Sequence, residues 1–373
     1  MLIEQGKISA IQLACMIFPT ILATSILSVP SMTMHYAGHD MWLSPIWGAL
    51  VGLSAIGISL GLNRLYPGMT IIQSSIQIAG WLPGKLIGLA FLLYLPHLIG
   101  MILREYGEFI SSSALPRTPM FIIMGTMIAV CAINVRLGIE VIGRTSQVFV
   151  PILILLLSLT FLLLTGELHI GELLPFMEKG LIPTLKGAIG PSAWLSEYIV
   201  LAFLLPYVTN KKKQHMTRIM LWSLGITTAT MVISNMFCLM LIGDLTDSFA
   251  FPVMIAARYI TIADFLQHIE AVIIAVWILG IFVKISVFLY ILVVSASEVF
   301  GLQSYRPLVA PIAFLCLVYS YWVVSGQPDV SKALGASGNV YTMMFLLVLP
   351  AVIYLVALIK QAWGHNNKKR RPA

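Results

Sequence analysis

The sequence predicts an all-α, multi-pass membrane protein with ten transmembrane helices, and three observations support this fold class. Of its 373 residues, 59% are hydrophobic and only 10% are charged, whereas soluble domains carry about 25% charged residues. The mean hydropathy is +0.95. Several apolar runs exceed about 18 residues, which is long enough to cross the hydrocarbon layer of a bilayer as a helix. This composition excludes a cytosolic enzyme, a disordered chain and a secreted disulfide scaffold.

Ten apolar spans are separated by segments rich in glycine, proline, asparagine and charged residues, which are typical of turns. Because lipid cannot satisfy the open hydrogen bonds of a sheet edge, we expect every span to be a helix. The predicted spans are Ile8–Val29, Leu43–Leu62, Lys85–Ser112, Met120–Val135, Gln147–Thr165, Ala188–Tyr207, Ile219–Ile242, Ala271–Val299, Leu308–Ser325 and Val340–Ile359. Composition does not shift along the chain, so residues 1–373 are predicted to form one transmembrane domain.

The charge distribution predicts the orientation of the spans. The chain carries 22 Lys and Arg against 15 Asp and Glu, a formal net charge of +7. Most basic residues outside the spans fall in loops that are cytoplasmic if the N-terminus is inside, so both termini are predicted to be cytoplasmic. The basic tail, residues 361–373, is predicted to be solvated and to meet anionic lipid. The positive charge is thus explained without nucleic-acid binding.

The first and sixth spans share an unusual arrangement of prolines and hydroxyl residues. Pro19 and Pro30 lie in or just after the first span, and Pro191 and Pro206 lie in the sixth. Proline removes a hydrogen-bond donor and clashes with the preceding turn, so we expect both spans to kink or unwind. Unwound backbone at membrane depth is tolerated where it lines a cavity or is buried in protein. The alternative is two ordinary kinked helices that Ser and Thr side chains stabilise.

The position of these two interrupted spans predicts an internal symmetry. Each opens a set of five spans, which is typical of a five-plus-five inverted repeat with a binding site near the midplane of the membrane. The first repeat is predicted to comprise about residues 8–165 and the second about residues 188–360. Within the second span, Gly48 and Gly52, and likewise Gly57 and Gly61, have the spacing of small residues that allow close helix packing.

Four segments carry a resemblance to a known family. They are ILSVP at Ile26–Pro30, AGHDMWLS at Ala37–Ser44, LLPY at Leu204–Tyr207 and RYITIADFLQHIEAVIIAVW at Arg258–Trp277. In these segments the chain resembles the spore-germination permeases, the B subunits of germinant receptors, which belong to the amino acid–polyamine–organocation transporters. The similarity extends over nearly the whole chain.

The resemblance implies a fold, partners and a location. The fold is the inverted repeat of the leucine-transporter type, with broken first and sixth helices. The partners are an A subunit and a lipoprotein C subunit in the inner membrane of dormant spores, and the ligand is an amino acid or a similar small nutrient. Relatives usually have glycine-rich breaks in the first span where this chain has LATSIL, so the backbone amides there are expected to be less exposed.

In such a fold, backbone amides of the broken helices hold the carboxylate of an amino acid, because half-helix N-termini favour negative charge. The expected contacts are Thr24, Ser25 and Ile26 in the first span and Ser192, Ala193 and Trp194 in the sixth. Glu197, one turn beyond Ala193, is the expected contact for the ammonium group. Alternatively, the hydroxyls of Thr24 and Ser25 bond back to their own helix.

Five charged residues lie at least four positions from the ends of predicted spans, where each is costly without a partner or water. They are Arg104, Glu105, Glu108, Glu197 and Lys284. Arg104 and Glu108 are four residues apart and are predicted to pair on one helix face. Glu105 points elsewhere, and Lys284 is expected to pair with Glu105 or with Glu197. These residues form either structural ion pairs or a proton or ion relay.

The remaining polar residues do not predict catalysis, a metal site or a cofactor. The sequence has no H-E-x-x-H motif and no facial-triad pattern, the four cysteines lie far apart in apolar runs, and there is no Walker A or G-x-S-x-G motif. Three functions remain: a germinant sensor that signals through its partners, a proton-coupled amino acid transporter, and a membrane scaffold without a pocket.

Overall fold

The computed structural model describes residues 4–209, 213–258, 270–323 and 335–369. Within these ranges the chain is almost entirely helical, and the extended backbone is limited to one parallel bridge between Ile8 and Val208. Two segments discussed above are partly outside the described residues. They are the Arg258–Trp277 segment, of which residues 259–269 are not described, and the basic tail, of which residues 370–373 are not described.

Fifteen α-helices are described. In chain order they are α1 Ala10–Ala37, α2 Ser44–Leu65, α3 Ile71–Ala79, α4 Trp81–Ser113, α5 Met120–Leu137, α6 Ile139–Leu164, α7 Leu181–Gly187, α8 Ile189–Ser196, α9 Leu201–Leu204, α10 Lys213–Ile242, α11 Pro252–Arg258, α12 Glu270–Phe300, α13 Val309–Val323, α14 Ala336–Met343 and α15 Leu349–Lys369. Short 3₁₀ segments at Gly38–Leu43, Glu197–Val200 and Leu205–Tyr207 and a π-helical turn at Met344–Val348 connect some of them.

Each of the ten predicted spans coincides with described helix. The described residues contain nine stretches long and apolar enough to cross a membrane, and one of them, Ala10–Leu65, comprises both α1 and α2. The predicted ends are less accurate than the spans. Helix α6 begins at Ile139 rather than at Gln147. Its first turns carry charged residues, so a prediction from hydropathy places the start of this span too late.

The first span is a continuous helix, which corrects the predicted break. Helix α1 is α-helical throughout, with Pro19 and Pro30 inside it. Proline removes one backbone hydrogen bond, but neighbouring hydroxyls and packed helices can hold the backbone in place. The Thr20 hydroxyl donates to the Met16 carbonyl over 2.6 Å, and the Thr33 hydroxyl donates to the Val29 carbonyl over 2.8 Å. The alternative of a helix stabilised by hydroxyl residues therefore describes this span.

The sixth span is interrupted, as predicted. After α8 the backbone changes to a 3₁₀ turn at Glu197–Val200, continues through the single turn of α9 and tightens again at Leu205–Tyr207. Pro206 begins this last 3₁₀ turn, where its missing N–H is tolerated. The first change of helix type falls at Glu197, the charged residue of this span.

Burial separates inner from outer helices. In the most apolar stretch of Ile189–Tyr207, 94% of the residues are buried, compared with 22% in Ala336–Trp363. Helices α1 and α12 are also mostly buried and pack against each other, while α6 and α13 expose apolar side chains. Since exposed apolar side chains suit lipid, the outer helices form the lipid-facing surface and α1, α8 and α12 form the centre of the bundle.

Close contacts between helices occur where glycine permits them. A Cβ at Gly48 would lie 3.0–3.2 Å from atoms of Pro191 and Ser192, so α2 and α8 approach at backbone distance here. Gly57 on the same helix has nothing within 4 Å of a Cβ position. At Gly61, nearer the end of the helix, a Cβ would lie 2.6 Å from ring atoms of Tyr354. The predicted close packing therefore occurs at Gly48 and Gly61 but not at Gly57.

Candidate functional site

A buried ion pair lies at the centre of the bundle. Lys284 of α12 places its Nζ 2.8 Å from Oε1 and 3.0 Å from Oε2 of Glu197, in the 3₁₀ turn after α8. The two side chains are only 1% and 3% exposed. Of the two partners that the sequence allowed for Lys284, the structure therefore selects Glu197. The interruption of the sixth span places this carboxylate against the lysine.

Thr24 completes the set of acceptors around the ammonium group. Its Oγ1 accepts a hydrogen bond from Lys284 Nζ over 2.8 Å and another from Trp194 Nε1 over 2.8 Å. The ammonium group therefore has three oxygen atoms within hydrogen-bond distance, which offsets the cost of burying it. Because these residues belong to α1, α8, α12 and the turn after α8, the network joins the central helices at one point.

A small cavity lies directly beside this network. Its volume is about 50 Å³, which suits a few water molecules, whereas small-molecule pockets usually measure about 300–1,000 Å³. The lining residues come from α1, α4, α8, α12 and α14 and from the turn after α8: Thr24, Leu98, Met101, Ile102, Glu105, Ala193, Trp194, Glu197, Lys284, Asn339 and Thr342. The cavity is therefore small and is lined by both polar and apolar side chains.

Glu105 is a second buried carboxylate that faces this cavity. It is 3% exposed, and its Oε1 accepts a hydrogen bond from the Ser28 hydroxyl over 2.8 Å. Among the described residues, Ser28 is the one side chain that hydrogen-bonds to it. In the part of the chain that the structure describes, Glu105 therefore has no cation of its own at hydrogen-bond distance, whereas Glu197 has Lys284.

Arg104 and Glu108 form a separate ion pair on α4. Arg104 Nη2 lies 2.8 Å from Glu108 Oε1, at the predicted spacing of four residues. Arg104 also lies over the ring of Tyr321, 5.6 Å from its centroid. Neither Arg104 nor Glu108 lines the cavity, so the structure separates this pair from the Lys284 network.

The expected amide contacts are engaged in helix. Thr24, Ser25 and Ile26 lie in continuous α1, where amides bond one turn back, and the Ser25 hydroxyl itself bonds back to the Leu22 carbonyl over 3.3 Å. Ile26 lines a different cavity, an apolar one of about 20 Å³. The Ser192 amide donates to the Ala188 carbonyl over 2.9 Å. The side chains of Thr24 and Trp194, rather than these amides, contribute to the polar network.

The sequence analysis missed several lining residues. Leu98, Met101 and Ile102 have the three- and four-residue spacing that places them on one face of α4 with Glu105. Asn339 is an amide within a largely apolar final span, which is a signal of function. Thr342, one turn further, has no distinguishing signal, because threonine occurs in many of the other spans.

No group of three or more His, Cys, Asp or Glu side chains that could hold a metal ion occurs in the described part of the chain. The cysteines are free thiols, with Cys131, Cys238 and Cys316 buried and Cys15 partly buried.

The fold is that of the transporters of the leucine-transporter type. A nucleobase-cation-symport-1 family transporter, Mhp1, solved in a closed conformation with bromovinylhydantoin, matches with a TM-score of 0.70 at 13% identity over 94% of this chain and 78% of that chain. MhsT, solved in complex with L-phenylalanine, matches with a TM-score of 0.67 at 16% identity over 97% of this chain and 91% of that chain. The chain is a multi-pass integral membrane protein with this inverted-repeat fold.

The chain belongs to the spore permease family, described as spore germination protein, whose model matches residues 7–325. Spore germination protein KB of Bacillus subtilis (strain 168) is 26% identical over 371 residues, covering 98% of both chains. Spore germination protein XB of Bacillus anthracis is 24% identical over 357 residues, covering 91% of this chain and 93% of that protein. The resemblance that the sequence motifs indicated is therefore confirmed.

Proposed function

We propose that this chain is the permease-like B-type subunit of a spore nutrient-germinant receptor and that it binds an amino acid or a similar small nutrient within the bundle. One observation carries the proposal: a chain of the spore germination family has a polar cavity between α1, α4, α8 and α12, at the centre of a transporter fold. The reaction is binding and signalling, without covalent chemistry.

The ligand's ammonium group contacts Glu105 in this proposal. Glu197 was the expected contact, but both of its oxygens lie within 3.0 Å of Lys284 Nζ, so its charge is already balanced. Glu105 lines the same cavity, and its hydrogen-bond partner among the described residues is the neutral hydroxyl of Ser28. A charge-assisted hydrogen bond to a buried carboxylate is stronger than a neutral one, which makes Glu105 the better acceptor for an incoming cation.

The small volume of the cavity suggests how the signal arises. At about 50 Å³ it must enlarge to admit an amino acid, so an occupied bundle differs from the present arrangement. A ligand shifts an equilibrium only by its differential affinity for two states. Binding therefore favours the wider arrangement. The buried helices α1 and α8 line the cavity and also pack against neighbouring helices, and in this proposal they transmit the change to partner subunits.

The partners and location follow from the family. The chain assembles with an A subunit and a lipoprotein C subunit in the inner membrane of the spore, with both termini in the cytoplasm and the basic tail near anionic lipid. The two inverted repeats comprise about residues 8–165 and 188–360. These statements are supported by the family match and by the distribution of basic residues.

A proton-coupled transporter is the second candidate, and Glu105 favours it. A buried carboxylate beside a polar cavity and 3% exposed is a suitable proton carrier in a membrane helix. A pocketless scaffold is less well supported, because the cavity is lined by polar residues from several helices.

Deletion of the gene, followed by a nutrient panel on the spores, tests the receptor proposal. Loss of germination with one amino acid, restored by the wild-type gene, supports it, and an unchanged response to every nutrient contradicts it. Uptake of the same labelled amino acid into proteoliposomes, with and without a proton gradient, separates the two candidates. Gradient-dependent accumulation favours transport, whereas binding without accumulation favours a receptor.

A further inference from the structure

An open groove runs along the outer surface of the bundle between α5 and α13. Its volume is about 370 Å³, several times that of the central cavity. Five of its eleven lining residues are glycine or alanine, and the exposed residues Ile133 and Phe314 also line it. The small residues that line it are Gly125, Ala129, Ala132, Ala310 and Ala313.

Two arginines lie at one end of this groove. Arg136 lines it directly. Arg306 lies at the same end, because the hydroxyl of its neighbour Tyr305 donates to the carbonyl of Val135, next to Arg136, over 3.5 Å. Both arginines are exposed, and among the described residues neither pairs with a carboxylate. The end of the groove therefore carries two exposed positive charges, whereas the nearby carboxylate of Glu4 is buried and accepts a hydrogen bond from the Tyr305 hydroxyl over 2.7 Å.

The length of the groove corresponds to one leaflet. From Arg136 to Gly125 the helix advances about 16 Å, at about 1.5 Å per residue. Half of a hydrocarbon layer about 30 Å thick is about 15 Å. A partner's transmembrane helix, about 10–12 Å wide, would continue across the whole thickness. A groove that ends near mid-membrane and begins at two arginines matches an acyl chain below an anionic headgroup.

We propose that this groove binds one anionic phospholipid, with its headgroup phosphate on Arg136 and Arg306 and one acyl chain between α5 and α13. By the charge distribution of the loops, this end of the groove faces the cytoplasmic leaflet. Basic pockets between transmembrane helices on that side commonly hold anionic headgroups. The site is separate from the central cavity, and the proposal does not depend on the ligand that occupies that cavity.

Native mass spectrometry of the full-length protein, released from nanodiscs of phosphatidylcholine with a minor fraction of phosphatidylglycerol, tests the proposal. We expect one phosphatidylglycerol to be retained more strongly than any other lipid. Arg136→Gln should weaken its retention about fivefold, and Arg136→Gln with Arg306→Gln about thirtyfold. Ala129→Leu should also weaken it by filling the groove with no change in charge. Arg144→Gln is the control, because Arg144 is exposed and pairs with Glu140.

Three results would overturn the proposal. The first is equal retention in the double arginine variant and in Arg144→Gln. The second is displacement of the lipid by soluble glycerol phosphate alone, which would show that the acyl chain is not held. The third is loss of a co-purifying membrane protein from Ala129→Leu with lipid retention unchanged, which would identify the groove as a helix-docking surface.

Discussion

Replacing Lys284 with methionine should lower the stability of the folded bundle more than replacing a lysine at the surface. The change removes an ammonium group with three oxygen acceptors, at Thr24 and at both oxygens of Glu197. Methionine has a similar length, so the loss is mainly one of charge. It leaves the Glu197 carboxylate, which is 3% exposed, without its counter-charge.

The expected cost is about 3–5 kcal/mol, the usual penalty for removing one partner of a buried ion pair. Most of it comes from the stranded carboxylate rather than from the lost attraction. Replacing both members of such a pair with neutral side chains is often much less costly. Lys284→Met combined with Glu197→Gln should therefore recover at least about 2 kcal/mol of the loss.

Thermal unfolding of the purified protein in detergent measures this effect. The control is Lys85→Met, since Lys85 is only half-buried and its ammonium lies over the Trp81 ring rather than against a carboxylate. We expect a large drop in melting temperature for Lys284→Met, a partial recovery in the double variant and almost no change for Lys85→Met. If Lys284→Met and Lys85→Met melt alike, the ion pair does not stabilise the bundle.

Two further predictions concern the same central helices. Thr24→Val should lower the melting temperature, because the Thr24 hydroxyl oxygen accepts hydrogen bonds from Lys284 and Trp194, and a hydrogen bond to a charged group is worth about 1.5–3 kcal/mol. Thr24→Ser keeps the hydroxyl and should melt close to the wild type. Equal melting temperatures for the two variants would mean that the methyl group of Thr24 matters instead. Gly48→Leu should reduce the yield of folded protein, because a side chain at Gly48 meets the backbone of α8. Gly57→Leu should leave the yield unchanged, because a side chain at Gly57 meets open space. Equal yields for the two variants would contradict this packing.

The spans and the charged residues within them were predictable because each follows from a local property. Hydropathy over about 20 residues identifies a membrane helix, and a lysine in the middle of an apolar run must find a partner. The spacing of Arg104 and Glu108 likewise determines that they share a face. Each of these signals is contained in one segment of the sequence.

The partner of Lys284 was not predictable, because it depends on how three helices meet. Glu105 and Glu197 are both acidic residues in spans, and neither sequence position states its distance from α12. The 3₁₀ turn that begins at Glu197 places this carboxylate, rather than that of Glu105, next to Lys284. That turn depends on packing around the sixth span, which local sequence does not report.

The prediction of a break in the first span was wrong for a similar reason. Prolines at positions 19 and 30 remove hydrogen bonds in any helix, but the outcome depends on whether neighbouring helices hold the backbone. Residues Met16 to Pro30 are buried, and their neighbours on α10 and α12 surround them. Surrounded in this way, the segment remains helical, and its contribution to the site comes from side chains.

The most direct test of the central claim is equilibrium binding of the nutrient identified by the spore panel to the purified protein and to Glu105→Gln. If the ligand's ammonium group contacts Glu105, this substitution should weaken binding about 10–100-fold, the equivalent of one charge-assisted hydrogen bond. Glu298→Gln is the matched control, because Glu298 is a partly buried carboxylate on α12 that accepts from Thr70 over 2.6 Å, and it does not line the cavity. It should bind within about twofold of the wild type. Wild-type affinity in Glu105→Gln would contradict the proposed site.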